Sequence, residues 1–240
     1  METKTEKKQT LAVSEVFSSI QGEGQTIGIP AVFLRLGGCN LLCKGAAFVC
    51  DTIEVWQKSK AIEFKDVIKK EWVERLRDGA HLVITGGEPL AHQKHIIEYL
   101  NWFVKEYGFG PIIEVETNGT IMPDETIDYY VQFWNVSPKL SSAGRQNTKE
   151  MRLKDTVLHF FNSNPKTIFK FVISNEDDVL ELMTDFGDYC SMSKVVLMPA
   201  GSSQEELSKT KVFVAEKCIE LGLRYSSRAH IEIWNLKTGV

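Results

Sequence analysis

Short apolar runs recur along the chain at residues 12–17, 31–36, 81–85, 112–116, 133–137, 168–173, 194–198 and 231–234. Most are continuous rather than strictly alternating, the pattern of strands covered on both faces, so each predicts a strand. Helical periodicity fills the intervals. Across residues 92–107, Ile96, Leu100, Phe103, Val104 and Tyr107 fall on one face. Val67, Ile68, Trp72 and Leu76 predict a helix before it, and Leu207, Val214, Cys218 and Leu221 one near the C-terminus. Strands alternating with helices specify an α/β fold with a mainly parallel sheet. No repeat or linker divides the chain, so residues 11–240 read as a single domain behind a charged, disordered tail at 1–10. The longest polar loop is 137–147.

In such folds chemistry gathers at the C-terminal ends of strands. Unusual residues do follow four of the predicted strands: Cys39 and Cys43, then Gly86-Gly87-Glu88-Pro89, then Thr117-Asn118-Gly119, then Pro138-Lys139. Composition narrows the setting. The 240 residues carry 28 Lys+Arg against 32 Asp+Glu, a net charge of −4, so no basic excess points to nucleic acid. No apolar run reaches the roughly 20 residues of a membrane helix, and the charged N-terminus lacks the apolar core of a secretory signal. The expectation is a cytoplasmic protein.

Of five cysteines, Cys39, Cys43 and Cys50 lie within twelve residues. That crowding favours metal or catalysis over disulfides. Three thiolates suit a four-iron cluster with one iron left open, or a zinc site completed by a distant ligand such as His81 or His92. On ligand count alone the two weigh equally. Cys190 and Cys218 read as packing residues.

Other residues carry two readings each. Arg35 interrupts an apolar run, and its fork suits either a ligand carboxylate or a structural partner, Glu15 or Glu116. Glu88 faces a ligand ammonium or simply ends a tight turn. Gln21-Gly22-Glu23-Gly24 is a polar loop able to offer backbone and amide groups, or an ordinary turn.

The motifs taken together resemble a known family. Cys39-x-x-x-Cys43 with a third cysteine, followed by Thr85-Gly86-Gly87-Glu88-Pro89, is similar to the radical S-adenosylmethionine (SAM) superfamily. Ser19-Ile20-Gln21-Gly22-Glu23-Gly24, the run from Phe33 to Asn40, Cys50-Asp51-Thr52, Glu116-Thr117-Asn118-Gly119-Thr120, Ser137-Pro138-Lys139 and the ending from Arg228 to Val240 resemble the 7-carboxy-7-deazaguanine synthases within it. Six residues separate Cys43 from Cys50, where that family usually has two.

The resemblance implies an incomplete (β/α) barrel. It implies a carbon–nitrogen lyase that converts 6-carboxy-5,6,7,8-tetrahydropterin to 7-carboxy-7-deazaguanine, with ring contraction and loss of ammonia, in 7-deazapurine and queuosine biosynthesis. A 5′-deoxyadenosyl radical generated from SAM would start the reaction. Cys39, Cys43 and Cys50 would hold a [4Fe-4S] cluster. Phe48, Val49, Asp51, Gly87, Glu116, Ser137, Pro138, Lys139, Met198, Pro199, Ala200 and Gly201 would surround SAM, with Phe48 or Val49 walling the adenine. Ile20, Gln21, Gly22, Glu23, Arg35, Thr85 and His230 would contact the pterin. Thr52 would ligate Mg²⁺. The implied partners are a one-electron donor such as a flavodoxin or ferredoxin and a second copy of the chain, with neither nucleic acid nor membrane involved. The alternatives are an activase of glycyl-radical enzymes and a zinc-stabilised α/β interaction module.

Overall fold

A computed structural model describes residues 9–45, 49–50, 52–237 and 239. Their strands are β1 (Thr10–Ile20), β2 (Pro30–Leu36), β3 (Lys60–Glu63), β4 (His81–Gly86), β5 (Ile112–Thr117), β6 (Val131–Val136), β7 (Thr167–Ile173), β8 (Val195–Pro199) and β9 (Arg224–Tyr225). They form one open sheet in the order β3-β1-β2-β4-β5-β6-β7-β8-β9. From β2 to β9 every neighbouring pair is parallel, while β1 runs antiparallel to β2 and β3. This is the incomplete, mainly parallel barrel that the resemblance implied. The strand begins at Thr10, inside the stretch expected as tail; Met1–Lys8 lie outside the described residues.

The helices are α1 (Ile53–Trp56), α2 (Phe64–Val67), α3 (Lys70–Arg77), α4 (Gln93–Tyr107), α5 (Glu125–Tyr130), α6 (Lys149–Arg152), α7 (Asp155–Ser163), α8 (Glu176–Glu181), α9 (Gln204–Leu221) and α10 (Ala229–Trp234). Ile96, Tyr99, Leu100 and Phe103 of α4 share one core with Val73 and Leu76 of α3, Leu158 and Phe161 of α7, and Val214 of α9. The strands present Leu34, Ile84, Val115, Trp134, Phe169 and Leu197 to that core. Because successive strand residues point to opposite faces, Arg35, Thr85, Glu114, Glu116, Asn135 and Lys170 share the other, inner face. The charged positions inside these runs are thus all on the concave side.

Two expectations need correction. The single helix through Val67 and Leu76 is two, because Ile68 is extended (φ −117°, ψ 131°) and α3 starts afresh at Lys70. The strand expected at 231–234 is instead helix α10. In a strand Ile231 and Ile233 would share a face; in the helix they diverge, and Ile231 is buried while Ile233 is 56% exposed. His230 is therefore a helical residue.

Candidate active site

Three strand ends are fastened together at one mouth. The chain leaves β2 through Gly37 and Gly38, and the turn after β4 rests directly on it. A Cβ on Gly86 would lie 2.4 Å from the Leu36 carbonyl oxygen, and one on Gly87 would lie 1.9 Å from that of Gly38 and 2.7 Å from Cys39 Cβ. Only glycine permits this approach. Glu88 N donates to the Gly38 carbonyl at 2.9 Å. The Glu88 carboxylate accepts from Leu90 N (2.9 Å), Thr117 Oγ1 (2.8 Å) and Asn118 N (2.7 Å). Burial pushes its pKa up, against the pull of these donors. Glu88 thus bolts the β4 and β5 turns together; fully buried, it does not line the cavity described below.

The cysteine loop hangs from this platform. Cys50 N donates to the Cys43 carbonyl at 3.0 Å, and Lys44 and Val49 form an antiparallel bridge. These two contacts keep Cys43 and Cys50 neighbours despite the six residues between them. Gly45 sits where a Cβ would meet the Ser142 carbonyl oxygen at 1.8 Å. Phe48 and Asp51 lie outside the described residues. All five cysteines are free thiols. Cys39 accepts from Leu41 N (3.5 Å) and Asn118 Nδ2 (4.0 Å), Cys43 from Asn147 Nδ2 (3.8 Å), and Cys50 Sγ lies 3.4 Å from Thr52 Oγ1. Thr52 caps α1 without bonding its backbone, so its hydroxyl is not used there.

Burial pushes the Cys39 thiol up to about 11 and Cys43 upward too. A lone thiolate is disfavoured in such surroundings, and a bound metal centre supplies the missing positive charge. His81 and His92, the candidate fourth zinc ligands, are engaged elsewhere: His81 Nδ1 with Glu114 Oε2 (3.1 Å) and His92 Nε2 with the Gly37 carbonyl (2.6 Å). The donor set is three thiols on one loop, which fits a cluster bound by three cysteines. Cys190 and Cys218 are buried in the main core, and burial drives the Cys190 thiol to about 12.

These thiols share one cavity of about 530 Å³ with the inner face of the sheet. Of the residues expected at the site, Cys39, Cys43, Val49, Cys50, Thr52, Gly87, Glu116, Ser137, Lys139 and Met198 line it, as do Ile20, Gln21, Gly22, Glu23, Arg35, Thr85 and His230. Pro138, Pro199, Ala200 and Gly201 do not. Ala200 N donates to the Ile173 carbonyl (2.9 Å), and Gly201 is pressed against the backbone at Leu207 in α9, before the chain meets the cavity again at Ser202.

At the far end, Glu23 contacts Lys170 and accepts from Arg228 Nε at 2.8 Å, with His230 Nε2 at 3.9 Å. Burial alone would raise its pKa, yet Lys170, Arg228 and His230 hold it well below the usual carboxylate range. Lys170, also buried, is pushed up by Glu23 and Glu116 against its own desolvation. Arg35 pairs with Glu15, its register partner on β1, at 2.7 Å. Glu116 accepts from Thr85 Oγ1 (3.0 Å) and Gln21 Nε2 (3.4 Å). Beneath, fully buried Glu114 accepts from Gln21 Nε2 (2.7 Å), Thr26 Oγ1 (2.7 Å) and Asn135 Nδ2. Phe17 and Phe33 stack at 4.9 Å as an apolar wall. Sequence reasoning missed Lys170, Arg228, Phe17 and Phe33. Lys170 had a signal, being a lone cation in an apolar run like Arg35; Phe33 and Arg228 opened two of the family-like motifs without being given a role, and Phe17 had no signal.

The model of a protein family described as a 4Fe-4S single cluster domain matches residues 20–126. A 7-carboxy-7-deazaguanine synthase from Pyrobaculum aerophilum is 36% identical over 230 residues, covering 95% of this chain and 96% of its own. One from Halobacterium salinarum is 32% identical, covering 94% and 91%. The crystal structure of QueE from Escherichia coli superposes with a TM-score of 0.63 at 24% identity, covering 92% of this chain and 95% of that one, and so shares the fold. With cysteines, platform and charged inner face in place, and likeness running the length of the chain, this protein belongs to the 7-carboxy-7-deazaguanine synthase family.

Proposed function

We propose that the chain converts 6-carboxy-5,6,7,8-tetrahydropterin to 7-carboxy-7-deazaguanine, with ring contraction and loss of ammonia. The observation that carries this reading is a single cavity with three free thiols at one end and paired, partly to largely buried charges at the other. A [4Fe-4S] cluster held by Cys39, Cys43 and Cys50 supplies, when bound, the electron that cleaves SAM.

The remaining work belongs to the chain's own side chains. Arg35, steadied by Glu15, offers guanidinium N–H groups to the substrate carboxylate. Glu23, kept ionised by Lys170 and Arg228, accepts N–H groups from the pterin ring. Gln21 shapes this wall: its Nε2 is bonded to Glu114 and its Oε1 accepts Glu23 N at 3.2 Å. Ser137, Lys139, Val49 and Met198 form the SAM end, and Glu116, set between it and Gln21, accepts from the SAM ammonium or a ribose hydroxyl. Thr52 Oγ1, which makes no bond to the helix it caps, would hold Mg²⁺ through its hydroxyl. Phe17 and Phe33 exclude water from one side of the ring.

A small-molecule substrate suits a 530 Å³ cavity better than the protein substrate of a glycyl-radical activase. A one-electron donor such as a flavodoxin or ferredoxin, a homodimer and a cytoplasmic setting complete the reading. No helix among the described residues is long and apolar enough to cross a membrane. The test is anaerobic turnover: reconstituted protein with SAM, dithionite, Mg²⁺ and the carboxytetrahydropterin, followed by mass spectrometry. The deazaguanine mass supports the proposal; recovery of unchanged pterin from iron-loaded protein rejects it.

A further inference from the structure

The three cysteines sit in unequal surroundings. Cys43 is the most buried, and it alone receives a side-chain N–H from the segment between β6 and α6. That donor is Asn147, itself 3% exposed. Asn147 grips the backbone beside the sulfur at two points: Leu42 N donates to Oδ1 at 3.0 Å and Nδ2 donates to the Leu42 carbonyl at 2.9 Å. These two bonds fix which end of the amide is nitrogen, and hence which end faces Cys43 Sγ at 3.8 Å.

Asn147 is in turn held by buried Arg152. Arg152 Nε donates to the Asn147 carbonyl (2.9 Å), and Nη1 to the Lys139 carbonyl (2.7 Å) and Glu181 (2.7 Å). One guanidinium therefore ties the Asn147 clasp to the strand exit carrying Lys139 and to the end of α8. Glu181 also accepts from Ser141 N, closing the far side. A buried Arg with all these donors satisfied makes a rigid support rather than a solvated surface contact.

We propose that Asn147 is a positioning residue for the iron–sulfur centre, setting the direction of the Cys43 sulfur and lending it an N–H donor that raises the reduction potential. The proposal rests on the reading that Cys43 ligates a cluster. The physical basis is general: a donor to a ligating sulfur stabilises the electron-rich, reduced state, and outer-shell partners keep ligands in place.

The test compares anaerobically reconstituted parent with three variants. Asn147→Asp keeps the acceptor for Leu42 N but loses the Nδ2 donor to both the sulfur and the Leu42 carbonyl, and adds a negative charge. Asn147→Ala removes donor and clasp together. Gln146→Ala is the control: Gln146 Nε2 bonds the same Leu42 carbonyl but not the sulfur. Iron per chain, iron retention against a chelator, the thermal midpoint and the cluster midpoint potential are measured. The parent and Gln146→Ala should titrate together. Asn147→Ala, which loses the donor without adding charge, should titrate at lower potential and hold iron about 10-fold or more weakly, and Asn147→Asp should also titrate lower. Should Asn147→Ala fail to fold, Asn147→Asp decides. Parent-like potential and iron retention in Asn147→Asp, or an equal shift in Gln146→Ala, overturns the proposal. A parent that binds no iron overturns the cluster reading itself.

Discussion

The two faces of the same strands obey different rules. On the outer face, Leu34, Ile84, Val115, Trp134 and Phe169 meet α3, α4, α7 and α9 in a dry core. On the inner face, residues one step away along the same strands are Arg35, Thr85, Glu114, Glu116 and Lys170. The outer face stabilises by removing apolar surface from water, roughly 1.5–3 kcal/mol per large side chain. The inner face keeps charges out of water, which is unfavourable unless each has a partner. Lys170 sits between Glu23 and Glu116, Arg35 beside Glu15, and Glu114 under four donors. The contrast teaches that one face holds the fold and the other is held by it in a charged arrangement ready for ligands.

Mutations on the two faces should therefore fail differently. Trp134, wholly buried against Phe161 with Nε1 bonded to Asp128, belongs to the outer face. Trp134→Ala should lower unfolding free energy by about 3–5 kcal/mol in urea denaturation. An effect under about 1 kcal/mol would break the contrast.

Lys170→Met leaves Glu23 with Arg228 but removes the cation shared with Glu116. A loss of about 3 kcal/mol at neutral pH follows from uncovering a buried charge. The sign with pH is specific. Glu23 has a lowered folded pKa, so its stabilising contribution is complete above the ordinary glutamate value and is lost only as pH falls through that lowered value. Without Lys170 its desolvation is less opposed, so acid unfolding should begin at higher pH than in the parent. Urea midpoints from pH 3 to 7 check this; parallel curves would contradict it.

Replacing both members of the Arg35–Glu15 pair sharpens the comparison further. Arg35→Met with Glu15→Leu should change stability by no more than about 1 kcal/mol, because paired charges exchanged for apolar groups cost little. The same double variant should bind the carboxylated pterin about tenfold or more weakly, since a charge-assisted hydrogen bond contributes about 1.5–3 kcal/mol. Isothermal titration and denaturation of one preparation read both. The smallest expected effect is at Thr52→Ala: stability unchanged, SAM binding retained, stimulation by Mg²⁺ blunted. A parent-like response to Mg²⁺ would remove Thr52 from the metal site.

The outer face was legible because apolar runs report burial directly. Seven of the eight expected strands are present with shifted ends, such as Pro30–Leu36 and His81–Gly86. Strands β3 and β9 were not seen: Lys60–Glu63 is a half-polar edge, and Arg224–Tyr225 has too few residues to show a period. The motif around Ile231 misled because four residues fit either period. At the site, cysteines and glycines stood out as residue types with few structural uses. Lys170 and Glu114 sat in apolar runs and were passed over, since one polar residue does not say which face it takes. Asn147 could not be seen at all. Its partner Cys43 is 104 residues away, and only the fold makes them neighbours.

On the function proposed above, the mouth cysteines hold a cluster and the core cysteines only pack. Iron and acid-labile sulfide per chain after anaerobic reconstitution test it most directly. The parent, Cys190→Ser and Cys218→Ser, where folded, should each carry about four iron and four sulfide, as a [4Fe-4S] centre requires. Cys39→Ala, Cys43→Ala and Cys50→Ala should each lose the centre. Full iron and sulfide in a chain lacking Cys43, or about one zinc and no sulfide in the parent, would contradict the account.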